Sequence, residues 1–183
     1  GLGDVYKRQG ELTREQVMLG RFHEFFESEG LPTDQVKVFN DEYQIRLGDK
    51  AFFCDHGDEL VKQLKATVKQ YAVTNGTTVA QERKLRFSGL DQLLDGVFIS
   101  EQVGVDKPQK AFFDAVWNEI GSYAPDEVVI VGDSLTSDIR GGKNAGILTC
   151  WYNPDHLPNK IEVTPDCTID NLQDILSYLD ESR

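Results

Sequence analysis

From Gly57 onward, short runs of aliphatic and β-branched residues alternate with longer amphipathic stretches, and this order constrains the fold more than any other feature of the chain. The pattern predicts strands at Gln70–Val73, Val97–Ser100, Val128–Val131 and Ile147–Trp151, with a weak one at Cys167–Ile169. Between and around them it predicts helices at Asp58–Ala66, Val79–Ser88, Gln109–Ile120, Ser137–Ala145 and Asn171–Leu179. Strands separated by helices imply right-handed crossovers, and hence a mostly parallel sheet covered by helices on both faces. Residues 57–183 therefore read as one α/β core.

The preceding residues follow a different grammar. Thr13 and Gln16 have capping-box spacing, and Val17, Phe22, Phe25 and Phe26 recur at helical intervals until Gly30. A second helix is predicted over Asp34–Leu47. Residues 10–56 form a helical unit without strand-like alternation. The opening GLGDVYKRQ, residues 1–9, fits neither part and reads as a non-native N-terminal scar. Its GLG follows no strand, so it is not read as a dinucleotide loop.

Composition narrows the function. The net charge of −12 over 183 residues disfavours nucleic acid and anionic membrane as partners. An anionic substrate would have to be drawn in locally, by a metal, a lysine or backbone N–H groups. Cys54, Cys150 and Cys167 are odd in number and far apart in the chain, and they read as reduced, buried thiols of a cytoplasmic protein. His23, His56 and His156 lack metal-ligand spacing. No apolar run approaches the roughly 20 residues of a membrane span.

In a parallel α/β sheet, ligands bind outside the carboxyl ends of the strands. Three stretches fall there. The first is VVIVGDSLTSDIRGG, where a buried run ends at Gly132 and two carboxylates follow. Asp133 comes too early to be a good helix cap and is read as a ligand for a hard cation such as Mg²⁺. Asp138 serves equally as a ligand, as support for one, or as a cap. The second is Thr74-Asn75-Gly76. An Asn-Gly hairpin would need a strand next, but TVAQERKLRF is helical, so this is a strand-to-helix turn offering a hydroxyl and backbone N–H groups to an anion. The third is the Ser100–Pro108 loop, which ends in Lys107-Pro108 ahead of a helix. A lone lysine is ordinarily a solvated surface group, but here it projects from a loop on the same rim, where it would offset charge on a phosphoryl group.

Thr-Asn-Gly, then Lys-Pro, then GDSLTSDIRGGKNAGILTCWYNP resembles the haloacid dehalogenase-like hydrolases, and within them the YjjG-type branch of pyrimidine 5′-nucleotidases. The resemblance runs from about Gly10 to the C-terminus, and GELTREQVMLGRF is similar to the first part of that family's helical cap. It implies a Rossmann-like three-layer core with a partial helical cap, and a Mg²⁺-dependent phosphomonoesterase acting on a small phosphorylated metabolite, a nucleoside 5′-monophosphate. Carried over, Thr74, Asn75 and Gly76 would bind phosphate, Lys107 would steady the phosphoryl group and the nucleophile, and Asp133 would hold Mg²⁺ with Asp138 beside it. Arg21, Phe22 and Tyr43 are candidates for base or ribose contacts, with packing as the commoner fate of such aromatics.

The family's chemistry also needs an Asp-x-Asp-x-Thr-like stretch on its first, central strand, one Asp attacking phosphorus and the other protonating the leaving oxygen. The sequence holds none. The expectation is an N-terminally truncated chain lacking that strand, inactive as it stands. Its two neighbouring strands would then face each other with unpaired backbone groups, each costing roughly 1–3 kcal/mol when buried. Three rival readings stay open: a phosphoglycolate or sugar-phosphate phosphatase, a metal-independent dehalogenase (against which Asp133 argues), and a non-catalytic phosphate-binding module.

Overall fold

The computed structural model describes residues 12–121 and 123–181. The reading of residues 1–9 as a scar, and the start of the helical unit at Gly10, lie outside the described residues.

The helical unit consists of α1 (Arg14–Ser28) and α2 (Val36–Gly48), joined through a 3₁₀ turn at Thr33–Gln35. The predicted capping box is present: the Thr13 hydroxyl accepts the Gln16 N–H at 3.2 Å, and the Gln16 side chain accepts the Thr13 N–H at 2.7 Å. The two helices meet through edge-to-face rings, Phe22 and Phe26 from α1 against Phe39 and Tyr43 from α2, with centroids 5.0–5.2 Å apart.

The core follows as α3 (Gly57–Leu64), β1 (Tyr71–Thr74), α4 (Thr78–Ser88), β2 (Gly96–Ile99), the short α5 (Ser100–Val103), α6 (Lys110–Ile120) and β3 (Val129–Gly132). A single π-helical turn, Leu135–Ile139, then leads into α7 (Arg140–Ala145), β4 (Leu148–Tyr152), β5 (Cys167–Ile169) and α8 (Ile175–Glu181). The predicted Ser137–Ala145 helix thus has a π turn at its start. α2 packs directly on α4, and Gly48 makes the close approach possible: a Cβ there would lie 2.5 Å from Arg83 Cβ and 2.9 Å from the Ala80 carbonyl oxygen.

All strand pairs are parallel, but the described strands form two groups rather than one sheet. β1 pairs with β2, and β3–β4–β5 form the other set. β1 and β3 each have one edge unpaired to any other described strand, and Val131 on β3 is 39% exposed. A shared apolar cluster joins the groups: Phe112, Phe113 and Val116 of α6 pack with Ile130 and Ile147, and Val73 and Phe98 of the two-stranded group pack onto it. On the opposite face Leu60, Cys150, Ile169 and Ile175 gather under α3 and α8. Val129 and Ile130, adjacent on β3, go to opposite clusters, as the alternation of a strand requires. Each large side chain buried as fully as Phe112 contributes about 1.5–3 kcal/mol.

The segment leading into α3 is fixed to the core. Asp55 and His56 both adopt left-handed backbone, with φ of 46° and 54°. The Asp55 carboxylate accepts the Tyr152 hydroxyl at 2.8 Å and the Leu172 N–H at 3.1 Å. That bond to Asp55, reinforced by burial, pushes the Tyr152 phenol up to about 12.

Candidate active site

The carboxyl ends of β1 and β3 converge on Lys107, in the loop between α5 and α6. Its ammonium is 6% exposed and donates to the Val73 carbonyl of β1 and to Asp138 Oδ1, at 2.5 and 2.6 Å. Its peptide is gripped from the other side by Asn75. Asn75 Nδ2 donates to the Lys107 carbonyl and Asn75 Oδ1 accepts the Lys107 N–H, both at 2.9 Å. The Lys107–Pro108 peptide is cis.

Asp138 reaches Lys107 because of the π turn. Both the Asp138 and Ile139 N–H groups donate to the Ser134 carbonyl, so the chain widens there and swings the carboxylate back toward the strand end. Asp138 Oδ2 accepts the Ser134 N–H at 3.1 Å. The carboxylate then lies against Gly132, where a Cβ would sit 2.5 Å from Asp138 Cβ, Cγ and Oδ2. The group that the missing side chain of Gly132 admits so closely is the chain's own Asp138.

The two acids of the GDSLTSD stretch therefore divide. Asp138 is buried, with both oxygens engaged by the protein. Asp133 is exposed, and its carboxylate makes no ion pair among the described residues. Its position is set by its backbone, since its carbonyl accepts Trp151 Nε1–H from β4 at 3.0 Å.

The Thr74–Gly76 turn is also partly committed. Gly76 N–H donates to the Ser100 hydroxyl at 3.2 Å, and the Asn75 amide serves Lys107. The Thr74 hydroxyl has no protein partner among the described residues. Arg14 of α1 reaches down to the same turn, donating to the Gly76 carbonyl at 3.0 Å, to Ser100 Oγ at 2.8 Å and to Asp106. Ser100 and Asp106 fall in the Ser100–Pro108 loop that the sequence places at the rim, though without a role, and Arg14 escaped the sequence reading. Strand-end position alone marks Ser100, at the end of β2, whereas nothing in the sequence distinguishes Arg14 from an ordinary surface arginine.

A cavity of about 440 Å³ lies between the helical unit and the strand ends, lined by Arg14, Arg21, Gln44, Asn75, Gly76 and Ser137 among others. A larger hollow of about 700 Å³ shares Arg14, Met18 and Asp106 but lacks Asn75 and Gly76, and neither hollow is lined by Lys107 or Asp133. The smaller one is therefore the candidate site. Of the three residues proposed for base contact, Arg21 lines it. Phe22 and Tyr43 do not; their rings lie 4.7 and 5.2 Å from the Arg21 guanidinium and brace it. Gln44 is buried and accepts the Thr77 hydroxyl at 2.9 Å, so this part of the roof is pinned to α4.

No group of three His, Cys, Asp or Glu side chains that could hold a metal occurs among the described residues. Mg²⁺ is commonly bound through one or two carboxylates while keeping several waters. Asp133, a free carboxylate at the rim, fits such an ion, whereas Asp138 is spent on Lys107.

A parallel α/β core whose strand ends present a lysine neutralised by a carboxylate, under a helical roof, defines a capped α/β enzyme. The chain belongs to the haloacid dehalogenase-like hydrolases, whose family model matches residues 5–146. It is 34% identical over 171 residues to the HAD-hydrolase YfnB of Bacillus subtilis, covering 93% of this chain and 72% of that protein. The magnesium-bound crystal structure of YfnB superposes with a TM-score of 0.88 at 33% identity, covering 97% of this chain and 78% of the other. The pyrimidine 5′-nucleotidases PynA of Streptococcus pneumoniae and YjjG of Escherichia coli are 34% and 31% identical over 173 and 172 residues. Each match covers 94% of this chain, with 73% of PynA and 75% of YjjG.

Proposed function

We propose that this chain carries the phosphate and metal half of a Mg²⁺-dependent phosphomonoesterase whose substrate is a nucleoside 5′-monophosphate. The observation that carries the reading is the convergence of Asn75, Lys107 and Asp138, which fixes one buried ammonium between two strand ends. A phosphoryl group at the rim would meet the Thr74 hydroxyl and the Lys107 ammonium, with Asp133 holding the metal beside them. The ion, when bound, supplies Lewis-acid stabilisation of phosphoryl oxygens. Asp138 holds the Lys107 ammonium in place, and Asn75 holds the Lys107 backbone so that the ammonium cannot wander. Arg21, Gln44 and Arg14 face the same cavity and would meet the rest of the nucleotide. Two relatives named pyrimidine 5′-nucleotidases support the nucleotide over other phosphoesters. A cytoplasmic location accords with this substrate. Among the described residues, no helix is long and apolar enough to cross a membrane.

The reaction itself runs through an aspartyl-phosphate, and no Asp-x-Asp-x-Thr stretch occurs in these 183 residues. The chain alone is therefore expected to bind without turnover. The test joins it to a strand bearing that stretch and measures phosphate release from nucleoside monophosphates, phosphoglycolate and sugar phosphates with Mg²⁺. Preferential release from pyrimidine nucleotides supports the reading, and preference for either other class replaces it. Asp133→Ala should abolish the activity; an unchanged rate removes Asp133 from the metal.

A further inference from the structure

From the sequence alone, Cys150 and Cys167 read as reduced, buried thiols far apart in the chain. In the fold they are directly opposite one another on neighbouring parallel strands, β4 and β5. The Cys150 thiol donates to Cys167 Sγ at 2.7 Å, and both cysteines are free. Adjacent strands lie about 4.7–4.9 Å apart, inside the Cα separation of about 4.4–6.8 Å that a disulfide spans. Opposed residues also project to the same face, so the sulfurs can approach without the strands changing register. Cys150 has no exposed surface, whereas Cys167 is partly exposed. Cys54, the remaining thiol, is exposed, and it sits near the Asp55 clamp rather than between the two strands.

We infer that Cys150 and Cys167 form a thiol oxidation site, converted by hydrogen peroxide into a disulfide that ties β5 to β4. The two cysteines have separate parts. Cys167, the one solvent reaches, attacks the peroxide: its sulfur bonds to one oxygen, the O–O bond breaks, and water leaves, giving a sulfenic acid. Cys150 then attacks that sulfur. The S–S bond forms, the S–O bond breaks, and the departing hydroxyl takes the Cys150 proton as a second water. Two thiols lose two electrons in all, and one peroxide is reduced to two waters. Burial, with Cys167 beside it, raises the Cys150 thiol above its ordinary range, so the first attack on peroxide falls to Cys167 rather than to Cys150.

The placement gives the bond a structural consequence. β5 is a three-residue strand at the edge of its group, and the residues between the cysteines form a long surface loop. Closing that loop covalently restrains the unfolded chain. Trp151, next to Cys150, donates to the Asp133 carbonyl, so the oxidised strand is also the one that positions the exposed carboxylate of the site.

The experiment treats the full chain with hydrogen peroxide, blocks remaining thiols with N-ethylmaleimide in denaturant, and reads intact mass and peptides. The expected result is one blocked thiol, Cys54, a mass lower by two hydrogen atoms before blocking, and a linked peptide pair containing Cys150 and Cys167. The oxidised chain should melt roughly 5–10 °C higher, and dithiothreitol should reverse the shift. Cys150→Ser should stop at a sulfenic acid on Cys167 that dimedone traps, and Cys54→Ser should oxidise like the parent. Three blockable thiols after peroxide, or a bond that recruits Cys54, would overturn the inference. The peptide mapping needs no variant, so a misfolded substitution does not shield it.

Discussion

Two cations anchor the two parts of this molecule, and they are set in opposite ways. Lys107 holds the core strand ends together from inside: it and Asp138 are 6% and 10% exposed, and the ammonium donates to the Val73 carbonyl and to Asp138. Arg14 ties the helical unit to the core from the rim: it and Asp106 are 22% and 15% exposed, and the guanidinium is shared among a carbonyl, a hydroxyl and a carboxylate. A desolvated charge has no alternative once its partner is removed, whereas a partly hydrated one can turn to water. The contrast teaches that the core lysine is built as fixed framework, while the attachment of the roof keeps partial access to water.

The sharpest way to break that contrast is Asp138→Ala. It leaves the Lys107 ammonium buried without compensation and should cost about 3–5 kcal/mol in urea unfolding. A loss below 1 kcal/mol, on the order of an exposed pair, would show that water reaches the lysine. Gly132→Ala tests the same node by crowding. Its methyl would collide with Asp138, and about 1–3 kcal/mol should be lost as the carboxylate is pushed from Lys107. Arg14→Ala should cost least, about 1–2 kcal/mol. Its distinguishing effect should be faster amide exchange in α1 and at Gly76, with the core strands unchanged. If Arg14→Ala destabilised as much as Asp138→Ala, the two anchors would be equivalent and the contrast would fall.

Much of the site was legible because strand-end loops announce themselves. Thr74, Asn75, Lys107, Asp133 and Asp138 stand at strand ends or in the loops leaving them, and the structure brings Asn75, Lys107 and Asp138 into one hydrogen-bonded set. Their division of labour was not legible. Asn75 and Gly76 offer anion-binding groups in the sequence, but their partners, the Lys107 peptide and the Ser100 hydroxyl, lie 24 or more residues away. The aromatic candidates illustrate the same limit, since Phe22 and Tyr43 brace Arg21 instead of lining the cavity.

By itself the sequence determined the order and parallel sense of strands and helices, because apolar periodicity and turn chemistry are local, and it determined that Asp133 and Asp138 leave the same strand. Only the tertiary structure decided that one acid is buried against a lysine while its neighbour faces outward. It also decided that the described strands fall into two groups, and that two cysteines distant in the chain touch. Those outcomes depend on strand register and on a single π turn, and both are set by which surfaces pack together rather than by the residues next in line.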